Sequence, residues 1–136
     1  MIHFIVEILI RLKIKIYNYI MYYLDVISLE GCPYSSSAEE LLKFKKVNFK
    51  LTKVKYNERE MYKSDEISTF PQIYLKKKES SGKLLIGGYD ELKEIYNKIV
   101  TSKTIDSMVN SLGKLFGSNF NKKIILRLVE LLSNNT

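Results

Sequence analysis

The stretch 22–35, YYLDVISLEGCPYS, combines a β-strand, a turn and the start of a helix. Residues 22–29 are rich in aromatic and branched side chains, which is typical of a core strand buried on both faces. The strand ends at Glu30-Gly31, and Pro33 suits a first helical position because its missing N–H costs nothing there. Cys32 therefore lies at the junction of a strand and a helix.

Cys32 is the only cysteine among the 136 residues. A thiol at a helix N-terminus faces unpaired backbone N–H groups and the positive end of the helix dipole, and both favour the reactive thiolate. One cysteine excludes a disulfide within the chain and a cysteine-rich zinc site. If Cys32 reacts, we expect its disulfide partner to come from another molecule.

The pattern of the rest of the chain predicts the order β-α-β-α-β-β-α. Strands are expected at 22–29, 47–56, 72–75 and 84–86, and helices at 33–46, in a short segment from Asn57, and from Asp90 to about 100. A strand–helix–strand crossover followed by a hairpin predicts an α/β fold with a mixed four-stranded sheet flanked by helices. Two more helical patterns follow, at about 104–115 and 122–132.

The chain carries a formal net charge of +7, which raises the question of nucleic-acid binding. Its lysines are scattered, however, and the densest cluster, Lys76–Lys78, falls in a predicted hairpin turn. A solvated basic surface is therefore favoured over a nucleic-acid site.

Residues 1–21 are strongly apolar, but charged residues at four positions keep them short of the roughly 18 apolar residues of a transmembrane helix. A packed or partner-binding extension is therefore favoured over a membrane anchor, which stays open for this segment. Leu12–Ile16 alternates apolar and basic residues and predicts a strand. Met21 is an alternative start of the protein.

Three motifs follow one another with this secondary structure: the Cys32–Ser35 turn, Thr69-Phe70-Pro71 before the third strand, and Gly87–Leu92 at the start of the third helix. Together they resemble the glutaredoxin family of the thioredoxin fold, over residues 22–100. We therefore expect an N-terminal extension at 1–21, a glutaredoxin-like domain at 22–103 and a helical C-terminal extension at 104–136.

The resemblance implies that Cys32 is the nucleophile and that the proline of the second motif follows a cis peptide bond. It implies that glutathione is bound by Tyr34, Thr69, Phe70, Pro71, Gly88, Tyr89 and Asp90. Within this set, the backbone of Phe70 pairs with the glutathione main chain, and Tyr89 and Asp90 hold its γ-glutamyl end. Tyr34 flanks the thiol.

Two residues depart from the family pattern. Ser35 stands where dithiol members have a second cysteine, so a dithiol route is closed. Leu29 stands where the family usually has a lysine that contacts the glycyl carboxylate of glutathione. Arg59 or Lys63 could replace that cation.

The resemblance implies a monothiol oxidoreductase that uses glutathione as co-substrate and reduces glutathionylated proteins or small mixed disulfides. The alternative is an iron–sulfur carrier in which Cys32 and glutathione hold a [2Fe–2S] cluster between two protomers, although Pro33-Tyr34 differs from the usual Gly-Phe of such proteins. A third alternative is an interaction module dominated by the two extensions. We expect no tightly bound metal and no nucleic acid, and a cytoplasmic protein.

Overall fold

The computed structural model describes residues 2–133, without the side chains of residues 14–20. These residues form five α-helices, four β-strands and two short 3₁₀ segments. In chain order they are α1 (Ile2–Met21), β1 (Tyr22–Leu29), α2 (Pro33–Phe44), β2 (Phe49–Val54), a 3₁₀ segment (Tyr56–Tyr62), β3 (Gln72–Lys77), β4 (Lys83–Gly87), α3 (Tyr89–Thr101), α4 (Ile105–Phe116), a second 3₁₀ segment (Gly117–Asn119) and α5 (Lys122–Leu132).

The four strands form one mixed sheet in the order β2-β1-β3-β4. β1 pairs in parallel with β2 and antiparallel with β3, and β4 pairs antiparallel with β3. The crossover through α2 makes the parallel pair, and a hairpin makes the last antiparallel pair. The predicted fold class, a mixed four-stranded sheet flanked by helices in a thioredoxin-like arrangement, is confirmed.

The central strand β1 is fully buried on one face only. Leu24, Val26 and Ser28 are buried, whereas the residues between them are half-buried. The prediction that β1 is buried on both faces is therefore wrong for one face, which is only half-buried. Ser28 donates a hydrogen bond to Glu39 of α2, so the buried face is the one that α2 covers.

Residues 12–16 belong to α1, so the predicted strand at Leu12–Ile16 is wrong. The sequence before Leu12 explains the helix, because its polar residues His3, Glu7 and Arg11 recur every fourth residue, which is a helical period. This period extends over nine residues, whereas the strand-like alternation extends over only five.

Two predicted helix starts also differ from the structure. The short second helix is the 3₁₀ segment Tyr56–Tyr62, and Lys55 rather than Asn57 precedes it. The N-cap of α3 is Gly88 rather than Asp90. Asp90 lies instead in the first turn of α3, where a carboxylate is favourable because of the helix dipole.

The C-terminal helices α4 and α5 join the same hydrophobic core as the sheet. The core residues from this part of the chain are Leu112, Phe120, Ile125, Leu128, Leu131 and Leu132. The division of the chain at residues 21 and 103 stays a prediction. None of the helices in residues 2–133 combines the length and the apolar content that crossing a membrane requires.

Candidate active site

The turn between β1 and α2 fixes the backbone of Cys32 at both of its polar groups. The N–H of Cys32 donates to the carbonyl of Leu29 at 3.1 Å, and its own carbonyl accepts from the N–H of Ser36 at 3.1 Å. Gly31 has a φ of +77°, a value that glycine adopts without steric cost. Cys32 is thereby the N-cap of α2, with Pro33 as the first helical residue.

The thiol of Cys32 is half-buried and points toward the loop that precedes β3. Its Sγ atom lies 3.8 Å from the carbonyl oxygen of Phe70. The Cys32 side chain makes no capping hydrogen bond to the start of α2, in contrast to the sequence-based expectation of a thiol facing unpaired N–H groups. The thiol proton has an acceptor in Phe70, and the first N–H groups of α2 lie on the same turn.

The Phe70–Pro71 peptide bond is cis, as the resemblance implies. Both residues are buried, and the next residue along the chain anchors the loop. The side-chain amide of Gln72, which is 1% exposed, donates to the carbonyl of Tyr62 at 2.9 Å. The loop that faces Cys32 is therefore fixed to the 3₁₀ segment behind it.

A cavity of about 250 Å³ lies beside this loop and the start of α3. Its lining residues are Tyr34, Thr69, Phe70, Gly88, Tyr89, Asp90 and Glu91. Six of the seven residues predicted to bind glutathione thus meet at one cavity, whereas Pro71 and Cys32 do not line it. Pro71 lies next to it, since its carbonyl oxygen is 3.4 Å from an ideal Cβ position on Gly88.

Two glycines precede α3, and the structure gives them different roles. Gly87 has a φ of +132°, and a Cβ atom there would approach Cγ of Glu91 to 2.7 Å. Gly87 therefore allows the first turn of α3 to pack against the end of β4. Gly88 instead exposes its backbone to the cavity.

The sequence analysis missed Glu91, which lines this cavity, and Lys93, which contacts two of its lining residues. The ammonium of Lys93 lies 3.6 Å from the carboxylate of Asp90 and 4.6 Å from the ring centre of Tyr89. The spacings i,i+3 and i,i+4 on a helix that begins at Tyr89 are the signal that could have identified Lys93. A cation therefore already lies beside the carboxylate that the resemblance assigns to the γ-glutamyl end of glutathione.

The two suggested substitutes for the lysine missing at Leu29 are engaged elsewhere. The guanidinium of Arg59 stacks 3.8 Å from the ring centre of Tyr56 and donates to its carbonyl. Lys63 forms an ion pair of 2.9 Å with Glu60. Neither side chain lines the cavity beside Cys32.

Ser35, at the position of a second cysteine in dithiol glutaredoxins, is 1% exposed. Its hydroxyl oxygen accepts the N–H of Leu29 at 3.0 Å and so ties the first turn of α2 to the end of β1. One turn further along, Glu39 accepts from the hydroxyl of Ser28 at 2.8 Å and lies 3.7 Å from Lys53. The hydrogen bonds of Ser35 and Glu39 therefore hold α2 against β1.

A second cavity, of about 440 Å³, shares Thr69 and Glu91 with the first. Leu115 and Phe116, at the end of α4, form part of its wall together with Glu66. The C-terminal extension therefore reaches the neighbourhood of the site, a long-range contact that no local pattern in the sequence indicates.

Comparison with known proteins agrees with this geometry. Residues 14–79 match the family model of the glutaredoxins, a span that includes Cys32, the cis proline and strands β1–β3. Over this span the chain is similar to the glutaredoxins. Glutaredoxins are thiol–disulfide oxidoreductases, and the match supports a role of this kind.

Glutaredoxin 1 from Francisella tularensis, solved as a complex with cacodylate, is a structural neighbour of the chain. The two sequences are 25% identical, and the alignment covers 60% of this chain and 99% of the other with a TM-score of 0.46. No curated protein is significantly similar to the chain in sequence.

Proposed function

We propose that the glutaredoxin-like domain is a glutathione-dependent oxidoreductase of the cytoplasm that reduces glutathione mixed disulfides through Cys32 alone. The observation that carries the proposal is the position of Cys32. It caps α2, and its sulfur lies 3.8 Å from the carbonyl of Phe70, which lines the adjacent cavity. The sequence offers no second cysteine that could compete for the intermediate.

The reaction consists of two thiol–disulfide exchanges. First, the Cys32 thiolate attacks the glutathione sulfur of a mixed disulfide, a new bond forms between these sulfurs, and the other thiol leaves and takes up a proton. A second glutathione, as thiolate, then attacks the same glutathione sulfur. Oxidised glutathione is released, and Cys32 returns to its reduced form.

The residues around the cavity support the binding of a tripeptide during these exchanges. The backbone of Phe70 is close enough to the thiol to pair with the main chain of a bound glutathione, in the manner of strand addition. The N-terminal turn of α3 presents backbone N–H groups that suit the α-carboxylate of the γ-glutamyl residue. Asp90, with its carboxylate mostly exposed, suits the ammonium of that residue.

Turnover of a small glutathione mixed disulfide tests the proposal, with glutathione, glutathione reductase and NADPH as the coupled system. We expect the wild-type chain to catalyse NADPH oxidation and the Cys32→Ser variant to show only the uncatalysed rate. Ser36→Ala, an exposed change on the same helical turn, is the matched control and is expected to keep full activity. Normal turnover by Cys32→Ser would exclude the proposal, and a thiolate-to-iron absorption band after anaerobic purification would favour the iron–sulfur carrier.

A further inference from the structure

The first three turns of α1 are exposed, although the helix as a whole contacts α5. Every residue from 2 to 13 is exposed. Eight large apolar side chains are among them, with exposures from 40% to 79%. They are Ile2, Phe4, Ile5, Val6, Ile8, Leu9, Ile10 and Leu12. Such a concentration of exposed apolar surface is characteristic of an interaction site.

The polar residues of this segment form a single narrow stripe. Within residues 2–12 only His3, Glu7 and Arg11 are polar, and their spacing of four places them along one side of the helix. Glu7 and Arg11 form an ion pair of 2.9 Å within that stripe. Up to Leu12 all other directions around the helix are apolar, which is more than one neighbouring helix can cover, since a helix pair buries only one stripe.

The exposed turns of α1 gain little stability from the rest of the domain. Most helical stability in proteins comes from the packing of an apolar face, and every residue from 2 to 13 is exposed. The segment is therefore stabilised by an apolar environment outside the domain.

Basic side chains surround the base of this helix. Arg11 and Lys13 lie at the C-terminal end of the apolar segment and are exposed. The hairpin between β3 and β4 is bonded to the end of α1, because the N–H of Lys78 donates to the carbonyl of Met21 at 2.8 Å. Lys77, the preceding residue, is also exposed. Positive charge beside an apolar helix complements the anionic headgroups of a membrane.

We propose that residues 2–13 of α1 insert into the interface of an anionic membrane, with the β3–β4 hairpin against the headgroups. The segment is roughly 18 Å long at 1.5 Å per residue, so it lies in the interface and does not span the bilayer, whose apolar core is about 30 Å thick. The eight-residue strand β1 lies between Met21 and Cys32. At the rise of a strand, these two residues are separated by roughly 25 Å. The thiol and its cavity therefore stay clear of the membrane.

Flotation of the full chain with lipid vesicles tests this inference without reference to enzymatic activity. We expect the chain to float with vesicles of phosphatidylcholine and phosphatidylserine, to bind pure phosphatidylcholine more weakly, and to be released partly by salt. Ile5→Glu/Leu9→Glu should lower vesicle binding more than tenfold. The control is Val100→Glu/Ile105→Glu, which adds the same two negative charges at exposed apolar positions outside α1. It should keep most of the vesicle binding of the wild type, and its small loss measures the effect of charge alone.

The contribution of the hairpin has its own variant, Lys77→Gln/Lys78→Gln. Because each lysine near an anionic surface strengthens binding about fivefold, we expect about a 25-fold loss on phosphatidylserine vesicles and little change on pure phosphatidylcholine. Unchanged urea midpoints would show that these variants fold.

Three results would overturn the inference. The first is full-chain protein that stays out of the vesicle fraction at both lipid compositions. The second is an Ile5→Glu/Leu9→Glu variant that floats like the wild type. The third is a dimer in sedimentation that the same variant dissociates, without vesicle binding by the wild type. That result would make a second copy of the chain the partner of α1.

Discussion

The two segments outside the predicted glutaredoxin-like domain are similar in apolar content but opposite in packing. Residues 104–133 contribute six side chains to the common core, five of them from α4 and α5, whereas α1 exposes eight large apolar side chains in its first three turns. The difference follows from the arrangement of residues around each helix. In α5, Ile125, Leu128 and Leu132 are spaced by three and four residues and form one face, which the domain can bury. α1 has no such single face.

The comparison shows that the C-terminal extension completes the hydrophobic core, whereas the first turns of α1 stay exposed and can bind something outside the domain. The C-terminal helices also reach the neighbourhood of the site, since Leu115 and Phe116 line the cavity that shares Thr69 with the one beside Cys32. Stability measurements on the two extensions can sharpen or break this distinction.

Removal of residues 104–136 should have the largest effect. Burial of each of the six core side chains contributes about 1.5–3 kcal/mol, and their sum is comparable with the roughly 5–15 kcal/mol that keeps a domain folded. We expect the shortened chain to lose its cooperative unfolding transition, as measured by circular dichroism during heating. A shortened chain that unfolds cooperatively at the original midpoint would show that the two C-terminal helices are dispensable for the fold.

Substitution of one core residue should have a smaller effect of the same kind. Leu128 is 0% exposed, and Leu128→Ala removes its side chain from the interior and leaves a cavity. We expect a loss of about 2–5 kcal/mol in the free energy of unfolding, measured by urea denaturation.

Leu9→Ala is the control for that substitution in the N-terminal extension. The same chemical change at an exposed helical position should alter the free energy of unfolding by less than about 0.5 kcal/mol. A loss similar to that of Leu128→Ala would mean that the first turns of α1 pack on the domain in solution, and would remove the contrast between the two extensions.

Most of the sheet could be predicted from the sequence because local breakers mark the ends of several strands. Gly31 ends β1, and Gly87 ends β4 at a φ that favours glycine. α1 could not be predicted in the same way, since Leu12–Ile16 matches a strand period while the polar residues upstream match a helical one. Burial decides such conflicts in most segments, but the first turns of α1 are not buried.

Some residues of the candidate site could be predicted from local sequence, and others could not. Cys32, Phe70 and Asp90 belong to local motifs whose order and spacing are visible in the chain. The approach of Phe116 to the neighbouring cavity depends on how α4 packs, and no residue near it in sequence indicates that contact. Arg59 and Lys63 were suggested as substitutes for the lysine missing at Leu29, and neither lines the cavity. Lys93, whose spacing from Asp90 is an ordinary helical one, lies at the other end, beside the carboxylate assigned to the γ-glutamyl group.

The central claim is that Cys32 exchanges disulfides with glutathione without a second cysteine. Intact-mass measurement of the full chain after incubation with oxidised glutathione tests it most directly. The account predicts a mass increase of one glutathione in the wild type, its removal by added reduced glutathione, and no increase in Cys32→Ser. A wild-type chain that gains no glutathione, or whose adduct reduced glutathione does not remove, would contradict the claim.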